Sequence, residues 1–255
     1  MSKENKESGF ISHLVELRKR LISSLICLLI LFVICYYFSD YIYGFLVDPF
    51  AEAVKNDNVE RRLIFTALQE TFLTYLKVSF FAAFFITSPF ILIQIWKFIA
   101  PGLYDHEKNA IMPYLILTPV LFLLGGMLVY YLIMPLAIKF FLSFESSGLS
   151  TTLPIQLEAK VNEYLSLVMK LIFAFGLSFQ LPIVLSLLAR IGLIDSRFLK
   201  ERRKYVVVII FAAAALLTPP DPITQIGLAI PLLILYELSI LSVKIIENKT
   251  KEKNA

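Results

Sequence analysis

Six apolar runs, at about 21–38, 73–96, 111–134, 161–189, 205–217 and 225–243, decide what this chain of 255 residues can fold into. Most approach the roughly 20 residues that a helix needs to cross the hydrocarbon of a bilayer. In lipid a segment must satisfy its own backbone polar groups, so runs of this kind become helices rather than lone strands. With 58% hydrophobic and only 17% charged residues, and a mean hydropathy of +0.76, the chain has too little polar surface for a water-soluble fold. The expected fold is an all-α polytopic membrane protein, a single domain of six transmembrane helices over residues 1–255.

Six spans put both termini on one side, and the cations choose which. Seventeen Lys and Arg fall in the N-terminal segment, the second-to-third and fourth-to-fifth connections and the tail, whereas the opposite connections at about 39–72 and 145–160 hold four, Lys55, Arg61, Arg62 and Lys160. The positive-inside rule therefore places both termini in the cytoplasm. The fifth run has 13 residues and reaches only about 20 Å as helix, so the fifth and sixth helices are expected to be short, with local thinning of the membrane. The external connections, at about 39–72 and 145–160, read as a folded cap. The first of them contains Asp48-Pro49-Phe50, a turn followed by an aromatic. Thr218-Pro-Pro-Asp-Pro222 cannot be helix interior, because proline removes amide donors, and is expected to form a rigid turn on the far side.

The long first apolar run is not followed by a small-residue cleavage pattern, so no removable signal peptide is expected. Cys27 and Cys35 lie eight residues apart in that run, about 12 Å along a helix, and read as apolar packers rather than a disulfide. The two histidines, His13 and His106, lie outside the spans, which argues against a haem or zinc site in the bundle, and no cofactor is expected. There is no basic tract interleaved with aromatics and no phosphate-binding loop, which disfavours nucleic acid as a partner and nucleotide hydrolysis as an activity. The chain is not expected to be an enzyme.

The chemistry is concentrated before the first span. In Ile11–Arg20, ISHLVELRKR, a helix would set Leu14, Leu17 and Leu21 on one side and His13, Glu16 and Arg20 on another. Glu16 and Arg20 are also an i, i+4 pair, which can simply steady a helix by a few tenths of a kcal/mol. After the second span comes Trp96-Lys-Phe-Ile-Ala-Pro-Gly-Leu-Tyr-Asp-His-Glu-Lys108, with aromatics, a Pro-Gly break at Pro101, and the carboxylates Asp105 and Glu107.

Taken with FGLSFQLP in the fourth span and LLTPPDP before the sixth, HLVELRKR and FIAPGLYDHEK closely resemble TatC, the receptor subunit of the twin-arginine protein translocase. The resemblance runs from about His13 to Glu237, with the motifs in order and at matching spacing. It implies binding of signal peptides that carry two consecutive arginines, through carboxylates at Glu16 and Glu107, with Arg18 and Phe98 beside them. Planar, permanently charged guanidinium suits such carboxylates better than the point charge of lysine. It further implies single-span partners, TatB and TatA, several copies of the chain per complex, export of folded proteins driven by the proton-motive force, and a bacterial inner membrane. Arg18 is expected to orient the carboxylates.

Gln180 is the strongly polar side chain between Lys170 and Arg190, beside Gly176 and Pro182. Many TatC members carry glutamate there, so the neutral amide excludes a titrating role while allowing a hydrogen bond to a partner helix or within the subunit. Glu237 either serves inside the membrane or reaches the cytoplasmic headgroups, and the second is favoured. Pro49, Pro101 and Asp221 are expected to be structural, Asp221 by fixing the external turn. The competing function is a secondary transporter of a small solute, against which the absence of a visible repeat counts.

Overall fold

A computed structural model of the chain describes residues 4–55, 61–99, 108–145, 156–218 and 221–254. Most of those residues are helical: α1 Glu4–Tyr37, α2 Ser39–Val54, α3 Glu70–Ile99, α4 Lys108–Leu128, α5 Met134–Leu142, α6 Val161–Ser178, α7 Leu181–Arg190, α8 Ser196–Leu217 and α9 Pro222–Asn254. Among them no strand forms, and the one sheet-like contact is a parallel bridge of Ile64 to Lys160. Five stretches are long and apolar enough to cross a membrane: Leu14–Tyr37, Glu70–Phe98, Pro113–Leu142, Val161–Arg190 and Pro222–Asn248. They match five of the six apolar runs, and the run at 205–217 does not reach that length.

The chain divides into two compact units, Met1–Ile42 with Tyr75–Pro119, and Tyr43–Thr74 with Val120–Ala255. In the first, Cys35, Ala82 and Ala83 are buried together with Leu28, Leu31, Phe32 and Ile42 packed around them. Small residues at 82 and 83 bring α3 close to α1, and Phe32 meets Phe80 edge-on at 6.2 Å. The hydroxyls of Thr87, Ser88 and Thr118 each donate to the carbonyl four residues back, so their burial leaves no donor unmet. The outer side of α1, with Leu25, Leu29 and Val33 exposed, is apolar, as a lipid-facing helix must be.

In the second unit, α4 continues through a π-helical turn, Val129–Ile133, into α5 as one rod. At Gly125 this rod meets the backbone of α6: a Cβ there would lie 2.7 Å from the Phe175 carbonyl oxygen. At Gly176, singled out in the sequence for a close backbone approach, the neighbour is instead the Phe122 ring. The α8–α9 hairpin packs through Leu199, Tyr236, Ile240 and Val243. It is tied by the Tyr236 hydroxyl, which donates to the Leu199 carbonyl at 2.7 Å, and by Glu247, which accepts from Ser196.

Two expectations require correction. Asp48-Pro49-Phe50 is not a turn but lies inside α2, with Pro49 buried. Proline deprives the Phe45 carbonyl of its helical donor, and the Tyr130 hydroxyl supplies another at 2.8 Å. The Tyr164 hydroxyl donates to the next carbonyl, that of Leu46, at 3.1 Å. Secondly, the last two helices are not short. α8 has 22 residues because Arg197–Lys204 continue the helix before the apolar part, and α9 has 33 because the tail beyond Lys244 holds neither Pro nor Gly to stop it. Shortness belongs to the apolar part of α8 alone.

Candidate functional site

Glu16 and Arg20 stand one turn apart on α1, before its most apolar stretch, and both are half-buried. Arg20 Nε and Nη2 donate to the same Glu16 carboxylate oxygen, at 3.0 and 2.5 Å, and its Nη1 donates to Gln94 Oε1 on α3 at 2.8 Å. The guanidinium is therefore held by α1 and α3 at once, with its fork directed at a carboxylate and an amide oxygen. Glu16, Lys19, Arg20, Ser23 and Gln94 line a polar hollow of about 370 Å³. Arg20 and Gln94 also border a second, apolar groove of about 610 Å³ that includes Leu21, Leu25, Ile91 and Phe98. A charged hollow and an apolar groove thus share the wall made by Arg20 and Gln94. Both lie within the first unit.

Phe98 sits at the end of that groove, which gives it a physical relation to Glu16. Arg18 is exposed on the other side of the helix, and the guanidinium that grips Glu16 is Arg20's. Gln94 was not picked out from the sequence, although it is the one amide side chain in the second apolar run. Its meaning depends on a partner 74 residues away. Glu107, Pro101, Asp105 and His106 lie outside the described residues, as does the side chain of His13.

The remaining candidates occupy the second unit. Gln180 is 5% exposed at the break between α6 and α7, where Pro182 follows. Its side-chain amide donates to the Gly176 carbonyl at 3.5 Å, and its own carbonyl accepts from Ile183 and Val184 as α7 begins. Asp221 is buried and caps α9: one oxygen accepts the Thr224 N–H at 2.7 Å and the other the Thr224 hydroxyl. Glu237 pairs with Arg203 of α8 at 2.6 Å, both half exposed. Arg61 grips Glu145 with two guanidinium nitrogens, at 2.5 and 2.6 Å, and Leu157 N–H adds a third hydrogen bond. These contacts hold the Glu145 carboxyl below the usual carboxylate range, the Arg61 hydrogen bond foremost.

Residues 12–231 match the family model described as Sec-independent protein translocase protein (TatC). The chain belongs to the TatC family. Among relatives, the TatC protein of Rickettsia prowazekii is 48% identical, over 94% of both chains. That of Magnetococcus marinus is 47% identical over 98% of this chain and 89% of its own length. The Escherichia coli K12 member is 34% identical over 90% of this chain and 86% of its own. A crystal structure of the twin-arginine translocase receptor TatC superposes with a TM-score of 0.77 at 41% identity, covering 92% of this chain and 99% of that one. The membership makes this a helical membrane-spanning component of a protein translocase, and the family is one of receptors rather than enzymes.

Proposed function

We propose that this chain is the twin-arginine receptor of its translocase, and that Glu16 and Glu107 hold the two arginines of an incoming signal peptide. The observation that supports this most is the Arg20 guanidinium already seated on Glu16 and Gln94, because it marks a pocket whose acceptors are spaced for guanidinium. An arriving arginine exchanges with Arg20, which is then free to turn outward. The apolar groove that shares Arg20 and Gln94 with the hollow suits the apolar segment that follows the charged end of a signal peptide. Phe98 lines that groove, and any part of Arg18 is through its charge alone, from the exposed side of α1.

The rest of the reading follows from membership and composition. The chain forms one domain of six spans, the apolar part of α8 being the sixth crossing in a thinned bilayer, with both termini in the cytoplasm of a bacterial inner membrane. Residues 39–72 and 145–160 form the external cap. Single-span TatA and TatB and further copies of the chain complete a complex that uses the proton-motive force. Gln180 is assigned a hydrogen bond to a partner helix, and its burial means that the packing around the α6–α7 break opens when that contact forms.

The test is the affinity of the detergent-solubilised protein for a signal peptide containing Arg-Arg, beside the same peptide with Lys-Lys. Arginine preference should appear and fall roughly tenfold to a hundredfold in Glu16→Ala or Glu107→Ala, the range for losing a hydrogen bond to a charged group. Equal affinity for both peptides, with and without added TatB, sinks the reading.

A further inference from the structure

Lys170 is a cation inside a membrane span, and the receptor function does not use it. It lies in the apolar stretch Val161–Arg190, nine residues from the Val161 end and so about 13 Å along the helix. Its side chain is exposed, and among the described residues it makes no hydrogen bond or ion pair. A charge at such depth is costly unless it meets water or an opposite charge.

The surroundings supply a route for one. Lys170 lines a groove of about 760 Å³ that extends along α6 from Asn162 to Ser178, roughly 24 Å and so deeper than one leaflet. The groove changes character along its length. Asn162, Ser166 and Lys170 make its upper part polar, Phe173 and Leu177 of α6 with Leu216 and Leu217 of α8 give it an apolar stretch, and Ser178 and Thr218 also line it. Glu163 stands at the mouth, but Lys160 lies 3.8 Å from its carboxylate, so the mouth is close to neutral and Lys170 is the uncompensated charge. The apolar part of α8 spans only about 20 Å, and the inference rests on the proposed reading of it as a crossing in a thinned bilayer, in which the membrane surface next to its end at Leu217 dips toward this groove.

We propose that the α6–α8 groove is a binding site for one anionic phospholipid, its phosphate on Lys170 and Ser166 and an acyl chain along Leu177 and Leu216. An anionic rather than zwitterionic headgroup follows from charge: it neutralises the lysine, whereas a zwitterion leaves the site with net charge in a poorly solvated place. The lipid belongs to the leaflet on the Val161 side. It fills the dip beside α8 and gives the short crossing a fixed neighbour.

The full-length protein, purified with phosphatidylglycerol and phosphatidylcholine carrying the same photoreactive acyl chain, provides the test. Crosslinks located by peptide mass spectrometry should fall in residues 173–177 or 216–217 for phosphatidylglycerol and be about fivefold fewer for phosphatidylcholine. Lys170→Met should erase that difference and Lys170→Arg should keep it, with Lys170→Gln as the variant of choice if the methionine form does not fold. Equal labelling by the two lipids in the parent protein overturns the proposal, and that arm needs no variant. Unchanged phosphatidylglycerol labelling in Lys170→Met also overturns it. So does loss of a co-purifying single-span protein in that variant with lipid labelling intact, which would give the groove to a partner helix. Arginine-peptide affinity should be the same in all of these proteins, so failure here is separable from failure of the receptor reading.

Discussion

The Tyr130 hydroxyl donates to the carbonyl of Phe45, the very acceptor that Pro49 leaves without a helical partner, and the two rings stack at 4.4 Å. A proline inside α2 is thereby tolerated by a side chain 85 residues away. Tyr130→Phe keeps the ring but removes the donor, and should destabilise the protein by about 1 kcal/mol in thermal unfolding. Pro49→Ala restores a backbone N–H to Phe45, so in that background Tyr130→Phe should cost much less. Equal cost in both backgrounds would show that the hydroxyl does not substitute for the missing donor.

The Arg61–Glu145 pair gives stability a dependence on acid. Its folded carboxyl titrates below the ordinary value of 4.5, so the contribution is fully present above that value and is lost as pH falls through the lower folded one. The unfolding midpoint of the parent should therefore fall more steeply below about pH 4.5 than that of Glu145→Gln. At neutral pH that variant should be less stable by about 2 kcal/mol, as for a lost hydrogen bond to a charged group. Parallel acid limbs would refute the assignment.

Gly125 and Gly176 should respond differently to alanine. At Gly125 the new methyl meets backbone, the Phe175 carbonyl at 2.7 Å, whereas at Gly176 it meets the Phe122 ring at 2.8 Å. A ring turns where a helix backbone must shift, so Gly125→Ala should cost about 1–3 kcal/mol and Gly176→Ala less. Thermal midpoints of the two variants in one detergent decide it.

Gln94 holds one edge of the Arg20 fork, so it positions the arginine site without carrying charge. Gln94→Leu should lower affinity for an Arg-Arg peptide about threefold to tenfold while leaving affinity for the Lys-Lys peptide unchanged. A uniform loss for both peptides would assign Gln94 to the fold alone.

Much of this was legible in the chain itself. The five long spans follow from apolar runs whose meaning is local, and the stretch around Glu16 announces itself by charge next to hydrocarbon. Asp48-Pro49-Phe50 was misread because local turn chemistry is the same whether or not a distant donor exists, and Tyr130 carries no mark of its target. The lengths of α8 and α9 were underestimated for a different reason. Hydropathy marks where lipid ends, while Arg197–Lys204 and the lysine-rich tail are good helix formers that continue past it. Nothing local marks Gln94, because its role depends on Arg20, 74 residues away.

The π turn at Val129–Ile133 acts on the rod as a gear. Five residues wound more loosely than their neighbours change the angular phase of everything after them. Before the turn, Phe122 and Gly125 are set against α6; at its end Ile133 is pressed on Gly227 of α9, and Tyr130 within it reaches α2. One continuous helix thus serves three neighbours that no single straight stripe could address. Its sequence switches period twice, from α to π and back, and the loss of one residue from the turn would rotate α5 away from its own contacts while leaving α4 untouched.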